Sequence, residues 1–339
     1  MAASDVGGKA SFARALFYQA PFSAKIQSVA LATLTVDEWG NCGSVFIRTL
    51  YSGLSRGTER LVFEGRLPES EWGRMRAPFQ EGEFPHSVKY GYSAVGLAEA
   101  GPPALIGRIM FALYPHQTAF AVPVGMAIPL PDAVPPRRAI LSANMETALN
   151  AVWDGELAEG QRVAVIGAGV VGCLIAYLAA RLAKAEVTLI DINPARAAIA
   201  ESLGVPFALP GEAPRDMAAI FHTSASEPGL RLALDIAGFE AKIIEVSWFG
   251  DKPVSLPLGG AFHSQRLRLI SSQVGHVAAP MRTRVSHRKR LESAITLLDD
   301  PRLDSLITEE IAFDDLPAAL PRLLAPDAPG IATAIRYHT

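Results

Sequence analysis

The sequence predicts an α/β fold in which an irregular β domain precedes a doubly wound parallel sheet. The first part of the chain holds short apolar and β-branched runs separated by glycine and proline, which is typical of strands in an irregular β domain. From Gly160 onward, short apolar strands alternate with helical segments, and this alternation predicts a parallel sheet with crossover helices. The pattern changes again after about residue 284, where two helices and a closing strand are expected.

The expected elements follow from these patterns. In the first part, strands are predicted at 44–50, 94–99, 108–113 and 118–122, followed by a helix at 138–153. In the second part, strands are predicted at 162–166, 186–190, 218–222, 242–247 and 267–272, and helices at 170–183, 194–203 and 227–237. Near the end, helices at 291–298 and 314–324 precede a strand at 331–336.

The composition is that of a globular protein with a small-molecule substrate. Of the 339 residues, 50% are apolar, and the formal net charge of −3 gives no reason to expect nucleic acid or an acidic membrane as a partner. The two cysteines, Cys42 and Cys173, are too few for a disulfide framework or a thiolate metal site. The N-terminus lacks a signal-like segment, and no apolar run reaches the roughly 18 residues of a membrane span. We therefore expect a cytoplasmic protein.

A glycine motif follows the strand at 162–166. The run from Val163 to Gly172 joins this strand to a helix, and the next strand ends at Asp191. This order predicts a dinucleotide site, because the glycines allow a tight turn, a close pyrophosphate and close helix packing. The Asp191 carboxylate suits ribose hydroxyls and would repel a 2′-phosphate, which favours NAD over NADP. The expected contacts are Gly167, Gly169, Val170, Val171, Gly172 and Asp191.

The whole arrangement resembles the medium-chain dehydrogenase/reductase, or alcohol dehydrogenase-like, family. The segments 52–59, 91–96 and 139–150 resemble the family segments that carry its catalytic-zinc ligands. The resemblance implies a GroES-like substrate and catalytic domain at 1–150, a Rossmann NAD-binding domain at 151–284, and a C-terminal segment at 285–339 that returns to the first domain. It also implies a homodimer or homotetramer.

The family's zinc ligands are replaced here. Ser55, Tyr92 and Ala143 stand at the three ligand positions, and none of them is a strong zinc donor. The run from Ser52 to Leu61, with Gly65 and Pro68 after it, resembles a zinc-free branch of the family. That branch includes bacteriochlorophyllide dehydrogenases, which oxidise a hydroxyethyl group of a tetrapyrrole to an acetyl group. We therefore expect no metal.

Without zinc, a side chain must bond the reacting oxygen and move its proton. The candidate catalytic residues are Tyr92, Ser55, Thr58 and His116. Tyr92 can donate to a carbonyl oxygen or can fill space, and Ser55 can bond substrate or backbone. Thr58 lies near the family's relay hydroxyl, although Arg56 shifts the register, and Glu59 can orient Arg56 or cap a helix. His116 is a candidate proton shuttle or a structural histidine.

The resemblance also implies contacts around the nicotinamide and the substrate. Further cofactor contacts are expected at Thr147, Ser247, Trp248 and Ser272. Substrate contacts are expected at Leu113, Tyr114 and His263, the last of these in a glycine-led loop at 259–264.

The expected function is a zinc-independent, NAD-linked oxidoreductase acting on a secondary alcohol or ketone. An arginine-rich run at 282–290 forms either a solvated helix face or a site for an anionic substrate. Two alternatives stay open at this point. One is an NAD(P)H-dependent reductase of an activated C=C bond, and the other is a non-catalytic dinucleotide-binding sensor.

Overall fold

The computed structural model describes residues 12–31 and 43–338, which form two compact units. The first unit comprises Met1–Leu130, Glu310–Ala328 and Ala334–Thr339, and the second comprises Pro131–Glu309 and Pro329–Thr333. Cys42 and the N-terminal segment considered above lie outside the described residues. The domain boundaries expected at 150 and 284 stay predictions. Among the described residues, no helix is long and apolar enough to cross a membrane.

The first unit is built mainly from strands. Its strands up to residue 130 are β1 (Phe12–Ala20), β2 (Ser23–Ala30), β3 (Ser44–Leu54), β4 (Glu81–Gly82), β5 (Val88–Lys89), β6 (Ala94–Ala100), β7 (Ile109–Ala112), β8 (Ala119–Pro123) and β9 (Ala127–Pro129). One helix, α1 (Arg56–Glu64), follows β3. The strands β2-β1-β5-β4 form one sheet in that order. β1 and β2 were not among the predicted strands, because in β1 the small Ala13 and Ala15 are buried while Phe12 is exposed, which hides the alternation, and β2 has few large apolar residues.

The second unit contains a parallel sheet with helices. Its helices are α2 (Pro136–Ala139), α3 (Ser142–Gly155), α4 (Val170–Leu182), α5 (Ala197–Leu203), α6 (Glu227–Ile236) and α7 (His287–Thr296). Its strands are β10 (Arg162–Ile166), β11 (Glu186–Ile190), β12 (Phe207–Ala208), β13 (Met217–His222), β14 (Ala237–Glu245) and β15 (Arg268–Ser271). They pair in the order β12-β11-β10-β13-β14-β15, and every neighbouring pair is parallel. This strand order is that of a doubly wound nucleotide-binding sheet.

The chain then returns to the first unit. The elements are β16 (Ile307–Ala312), α8 (Leu316–Leu323) and β17 (Ala332–Arg336). The strands β16 and β17 complete a second sheet of the order β16-β17-β3-β6-β7-β9, with β8 paired to β3. β16 was not predicted from the sequence, and its charged residues in Ile-Thr-Glu-Glu-Ile-Ala312 explain why.

Three predicted elements differ from the structure. The helix expected at 138–153 is interrupted between α2 and α3, where the Ser142 hydroxyl donates to the Ala139 carbonyl at 2.6 Å. β14 ends at Glu245 and not at 247, because the Glu245 side chain accepts the Ser247 N–H at 2.8 Å and turns the backbone. The loop expected at 259–264 contains a helical segment, Leu258–Phe262, with a kink at Gly260.

A buried arginine joins α3 to α7. Arg290 donates to Glu146 Oε1 at 3.0 Å, to Asn150 Oδ1 at 2.6 Å and to the carbonyls of His276 and Val274. Its side chain is 2% exposed. Burial raises the pKa of Glu146, and the adjacent Arg290 acts in the opposite direction. The prediction that 282–290 forms a solvated face or an anion site is therefore wrong for Arg290, whose guanidinium is buried and bonded to other groups of the protein.

We expect Arg290→Met to lower the free energy of unfolding by about 3–5 kcal/mol, because it leaves the buried Glu146 without its charge partner. Arg288→Met on the same helix is the matched control. Arg288 pairs with Glu292 where both side chains are well exposed, so its replacement should cost less than about 1 kcal/mol. Urea unfolding of the two variants measures the difference, and equal losses would contradict the structural role of Arg290.

Candidate functional site

The glycine turn of the second unit is held by close backbone packing. Gly167 has a φ of +107°, which favours glycine. A Cβ at Gly172 would lie 1.8 Å from the Gly167 carbonyl oxygen, so only glycine fits there. The Thr223 hydroxyl lies 2.8 Å from the same oxygen and 3.0 Å from the Ile166 carbonyl. The turn is therefore pressed between the start of α4 and the end of β13.

The start of α4 is the part of this turn that faces open space. Gly169 is the residue before the helix, and a Cβ there would meet no protein atom within 4 Å. Val170 and Val171 form the first helical turn and are half-buried. The free N–H groups of such a turn and the helix dipole attract phosphate groups. The geometry fits a pyrophosphate at this helix start.

Asp191 follows β11 and bonds the glycine turn directly. Its Oδ2 accepts the Ala168 N–H at 2.6 Å, and its Oδ1 accepts the Asn193 N–H at 2.8 Å. Each carboxylate oxygen has a second lone pair, so the half-buried side chain can still accept hydroxyl groups. Asp191 thus both shapes the turn and offers acceptors beside it.

The remaining predicted cofactor residues of this unit have partners within the unit. Thr147 lies on α3 and donates to the Ala143 carbonyl at 3.0 Å. Ser247 accepts the Ala225 N–H at 3.0 Å, and Trp248 beside it is half-buried. Ser272 follows β15, is buried, and donates to Asp154 at 2.7 Å. Their contact with a cofactor stays a prediction.

In the first unit, the structure brings three of the four predicted catalytic residues together. The hydroxyls of Tyr92 and Ser55 share a short hydrogen bond, and Thr58 also hydrogen-bonds Tyr92. Burial raises the pKa of Tyr92, the bonds from Ser55 and Thr58 lower it, and the charge of Glu59 raises it. Tyr92 is therefore a neutral phenol at physiological pH, with its ring half-buried.

A fully buried carboxylate organises the residues behind Tyr92. Glu59 accepts from the Tyr18 hydroxyl at 2.6 Å and from the Ser55 N–H at 2.7 Å, and lies 2.9 Å from His116 Nε2. His116 Nδ1 lies 2.7 Å from the Ser52 hydroxyl. Glu59 orients the start of α1 and not Arg56, whose guanidinium donates to the Ala328 carbonyl. The importance of Glu59 was not recognised from the sequence, because its partners lie far along the chain.

The position of His116 in this network bears on its predicted role as a proton shuttle. Its side chain is 1% exposed, and both ring nitrogens have partners. A proton shuttle needs a nitrogen that can exchange with solvent or substrate. The geometry favours a structural histidine that holds Glu59 in place, and the shuttle role stays a prediction.

The predicted substrate residues occupy different surroundings. Tyr114 is buried and stacks on Phe120 at 4.0 Å between centroids, and burial raises its pKa to about 12. Leu113 next to it is half-buried, and His263 is exposed. Tyr114 therefore belongs to the core of the first unit, which leaves Leu113 and His263 as the residues with surface for a substrate.

Zinc does not fit the residues present. Among the described residues, no group of three or more His, Cys, Asp or Glu side chains could hold a metal ion. At the positions that resemble zinc ligands, Ser55 and Tyr92 bond each other through neutral hydroxyls, and Ala143 has only a methyl group. Zinc prefers thiolate, imidazole or carboxylate, so this donor set does not suit it.

Comparison with known proteins gives partial relatives by sequence. No family model matches the chain. L-threonine 3-dehydrogenase of Mesorhizobium japonicum is 35% identical over 85 residues, which are 25% of this chain and 24% of the relative. The same enzyme of Rhizobium rhizogenes is 27% identical over 117 residues, or 34% of this chain and 33% of the relative. The matches thus span only about a quarter to a third of these relatives.

Solved structures match nearly the whole chain. A short chain alcohol dehydrogenase from E. coli CFT073, complexed with NADH, has a TM-score of 0.75 at 15% identity and covers 96% of this chain and 100% of its own. A putative zinc-binding dehydrogenase from Sinorhizobium meliloti 1021, bound to NADP, has a TM-score of 0.74 at 15% identity with the same coverage. The fold is that of alcohol dehydrogenase-like enzymes. The predicted GroES-like and Rossmann fold class is confirmed.

We expect Gly169→Ala and Gly172→Ala to fail in different ways. Gly172→Ala drives a methyl group into the Gly167 carbonyl and should cost about 1–3 kcal/mol of stability. Gly169→Ala meets no protein atom, so it should cost less than about 1 kcal/mol yet weaken NADH binding. Urea unfolding and NADH fluorescence titration separate the two effects.

Gly211→Ala is the control for this pair, since a Cβ there also meets nothing within 4 Å. It should change neither stability nor NADH affinity. Native affinity in Gly169→Ala would argue against a pyrophosphate at the start of α4.

Proposed function

We propose that this chain is an NAD-linked oxidoreductase that interconverts a secondary alcohol and a ketone without zinc. The observation that carries the proposal is the glycine turn beside Asp191, which has the shape and acceptors that a dinucleotide needs. The NADH or NADP bound to structural neighbours supports a nicotinamide dinucleotide as the cofactor. When bound, this cofactor supplies the hydride, and the protein supplies orientation and proton handling.

The residues of the second unit would hold the dinucleotide. The N–H groups at the start of α4 would bond the pyrophosphate, with Gly169 leaving room for it. Asp191 would accept the hydroxyls of the adenosine ribose. A 2′-phosphate there would face the carboxylate, which supports NAD over NADP.

Zinc independence is supported by the donor chemistry of Ser55, Tyr92 and Ala143 described above. A hydrogen-bond donor then has to polarise the substrate oxygen. Tyr92 suits this role because its pKa is raised, so its proton is present at physiological pH. The same shift makes a free tyrosinate base unfavourable, which points to Tyr92 as the donor to a ketone oxygen.

Ser55 and Thr58 would orient the Tyr92 hydroxyl. Their bonds to it lower its pKa, so they also stabilise the charge that develops when Tyr92 gives up its proton. The Ser55 backbone is in turn fixed by Glu59 at 2.7 Å. The chain therefore supports the phenol through a rigid, buried carboxylate.

We propose a tetrapyrrole as the substrate within this class. The run from Ser52 to Leu61 supports a hydroxyethyl tetrapyrrole, whose propionates would make it anionic. Within 282–290, however, Arg290 forms an ion pair with Glu146, and Arg288 forms one with Glu292. An anionic substrate would have to rely on other cations. We also propose that the protein acts on small molecules in the cytoplasm as a homodimer or homotetramer.

Tyr92→Phe should lower turnover about 100-fold or more while NADH affinity stays unchanged, because only the proton donor is lost. The measurement is ketone reduction with a panel of ketones and acetyl tetrapyrroles, beside NADH titration. Tyr90→Phe is the control, since this buried neighbour packs edge-on against Tyr92 and its replacement also removes one phenol hydroxyl.

The native enzyme in this assay should contain no stoichiometric zinc and keep its activity after treatment with a chelator. Chelator-sensitive turnover, or full turnover in Tyr92→Phe, would remove Tyr92 from the proposed role.

The native chain should bind NADH about tenfold or more tightly than NADPH, because the Asp191 carboxylate repels the 2′-phosphate. Asp191→Asn should reduce this preference, because it removes that charge. Asparagine keeps one acceptor for the two N–H groups that Asp191 now bonds, so stability must be measured in parallel. Fluorescence titration with both cofactors gives the ratio. A native chain that prefers NADPH would refute the ribose argument.

A further inference from the structure

A second set of polar side chains lies at the carboxyl edge of the parallel sheet. The strand register places Ile166 beside His222 and His222 beside Glu245, at the ends of β10, β13 and β14. His222 Nδ1 lies 2.7 Å from Glu245 Oε2, and His222 Nε2 lies 2.7 Å from Ser224 Oγ. The His222 side chain is fully buried, whereas Ser224 is exposed. A half-buried acid and a buried histidine therefore lead to one exposed hydroxyl.

The direction of the hydrogen bonds in this relay can be worked out from its ends. In the tautomer in which His222 donates from Nδ1 to Glu245, its Nε2 accepts the Ser224 O–H. At the other end, the Gly229 N–H donates to Ser226 Oγ. The Ser226 hydroxyl then donates to Ser224 Oγ, 2.8 Å away. With neutral His222, the proton of Ser224 is committed and its hydroxyl presents only a lone pair.

The relay is held rigidly. Glu245 uses its second oxygen to accept the Ser247 N–H at 2.8 Å. A Cβ at Gly229 would lie 2.5 Å from Ser224 Oγ and 2.8 Å from His222 Nε2, so the first turn of α6 packs directly on the pair. Phe249 stacks on the His222 ring at 6.0 Å. The Ser224 hydroxyl thus has a fixed position and a fixed polarity.

Ser224 lies beside the glycine turn, on the side away from Asp191. A Cβ at Gly167 would lie 2.9 Å from the Ser224 nitrogen. In the sheet, β10 lies between β11, which leads to Asp191, and β13, which leads to Ser224. A dinucleotide has one ribose on each side of its pyrophosphate. If Asp191 takes the adenosine ribose, Ser224 is on the side of the other one.

We propose that the Glu245–His222–Ser224 relay positions the dinucleotide by accepting a hydroxyl of the nicotinamide ribose at Ser224. The inference rests on the proposed dinucleotide function. It adds that the ligand group bound at Ser224 is a hydrogen-bond donor. A ribose hydroxyl can donate to the lone pair that Ser224 presents, whereas pyrophosphate oxygens accept only and do not match it. His222 and Glu245 act through Ser224 and are positioning residues.

The same three residues have the order of a nucleophilic triad, but the surroundings argue against that use. An acyl-transfer serine needs N–H donors for the oxyanion. The N–H of Ala225, the residue after Ser224, is donated to Ser247 Oγ at 3.0 Å. Ser224 also accepts from Ser226, which reduces its nucleophilicity. The relay is suited to holding a ligand and not to attacking one.

The test compares the affinities of NADH and ADP for the full chain, since ADP keeps the pyrophosphate and the adenosine ribose but lacks the second ribose. Ser224→Ala should weaken NADH binding about fivefold to tenfold, the loss of one hydrogen bond, and leave ADP binding unchanged. Ser224→Thr should restore NADH binding. Ser202→Ala, a serine of α5 that bonds only its own helix, is the control.

A double-mutant cycle tests the relay. His222→Gln combined with Ser224→Ala should weaken NADH binding no more than the weaker-binding single variant, because both changes remove one acceptor. Ser224 is exposed, so the Ser224→Ala variant should have the same free energy of unfolding as the native chain. This single variant still tests the proposal if His222→Gln does not fold. Unchanged NADH affinity in Ser224→Ala, or an equal loss for ADP, would overturn the proposal.

Two further results are decisive. Covalent labelling of Ser224 by a fluorophosphonate would also overturn the proposal, because it would identify a nucleophile. A native chain that binds neither NADH nor ADP would instead refute the proposed function itself, so the two failures can be told apart.

Discussion

The contact between Gly172 and the Gly167 carbonyl fixes the geometry on which the second unit's site depends. With no side chain at either position, α4 starts directly against the end of β10. That approach places the helix N–H groups beside the turn and brings Thr223 within 2.8 Å of the same carbonyl. Asp191 and Ser224 then take positions on either side of the turn. A methyl group at Gly172 would move all of these groups together, because proteins pack their interiors densely.

Each unit contains a carboxylate paired with a buried histidine, and the two pairs are bonded alike. Glu59 takes His116 on one oxygen and the Ser55 N–H on the other. Glu245 takes His222 on one oxygen and the Ser247 N–H on the other. In both cases a carboxylate fixes both a ring and a backbone segment. In both cases the hydrogen-bonded network ends at a hydroxyl group, that of Tyr92 in the first unit and that of Ser224 in the second.

The two hydroxyls differ in polarity, and this difference follows from their neighbours. Tyr92 keeps a proton that burial makes hard to lose, so it is a donor. Ser224 lies 2.7 Å from His222 Nε2, and when it donates its proton to that nitrogen its oxygen is left as an acceptor. A hydride-transfer enzyme needs a donor for a ketone oxygen and acceptors for the ribose hydroxyls of its cofactor. The chain supplies one of each from equivalent acid–histidine supports.

The sequence predicted the fold well where local pattern decides it. The strands and helices from residue 162 to 236 follow from continuous apolar runs and from the glycine motif, and their bounds agree to about a residue. It failed where distant partners decide. Arg290 looked like one cation of an exposed run, but Glu146, 144 residues away, draws it into the interior. Glu59 does cap the start of α1, as the sequence suggested, but its contact with His116, 57 residues away, could not be recognised from the sequence.

The predicted site divides in the same way. Gly167, Gly172 and Asp191 were recognisable because each is required by a local turn or strand end. His222 was not recognised from the sequence, although it is a polar residue at the end of an apolar predicted strand, which is a signal for a site. The pairing with Glu245 depends on strand order, which one sequence does not reveal. Tyr114 was placed near substrate by resemblance, yet stacking on Phe120 puts its ring in the core.

The polar character of the first unit's network favours chemistry over space-filling. A chain that only had to fill the volume of metal ligands would gain stability from apolar side chains, because a buried ion pair seldom outweighs the cost of desolvating it. Here Glu59, His116 and Tyr18 are all buried and all bonded, and the network ends at Ser55, whose hydroxyl bonds Tyr92. A fully satisfied network of this kind holds one geometry rigidly. Rigid placement of a neutral phenol is what a proton donor requires, and a protein that merely binds a dinucleotide has no need of it.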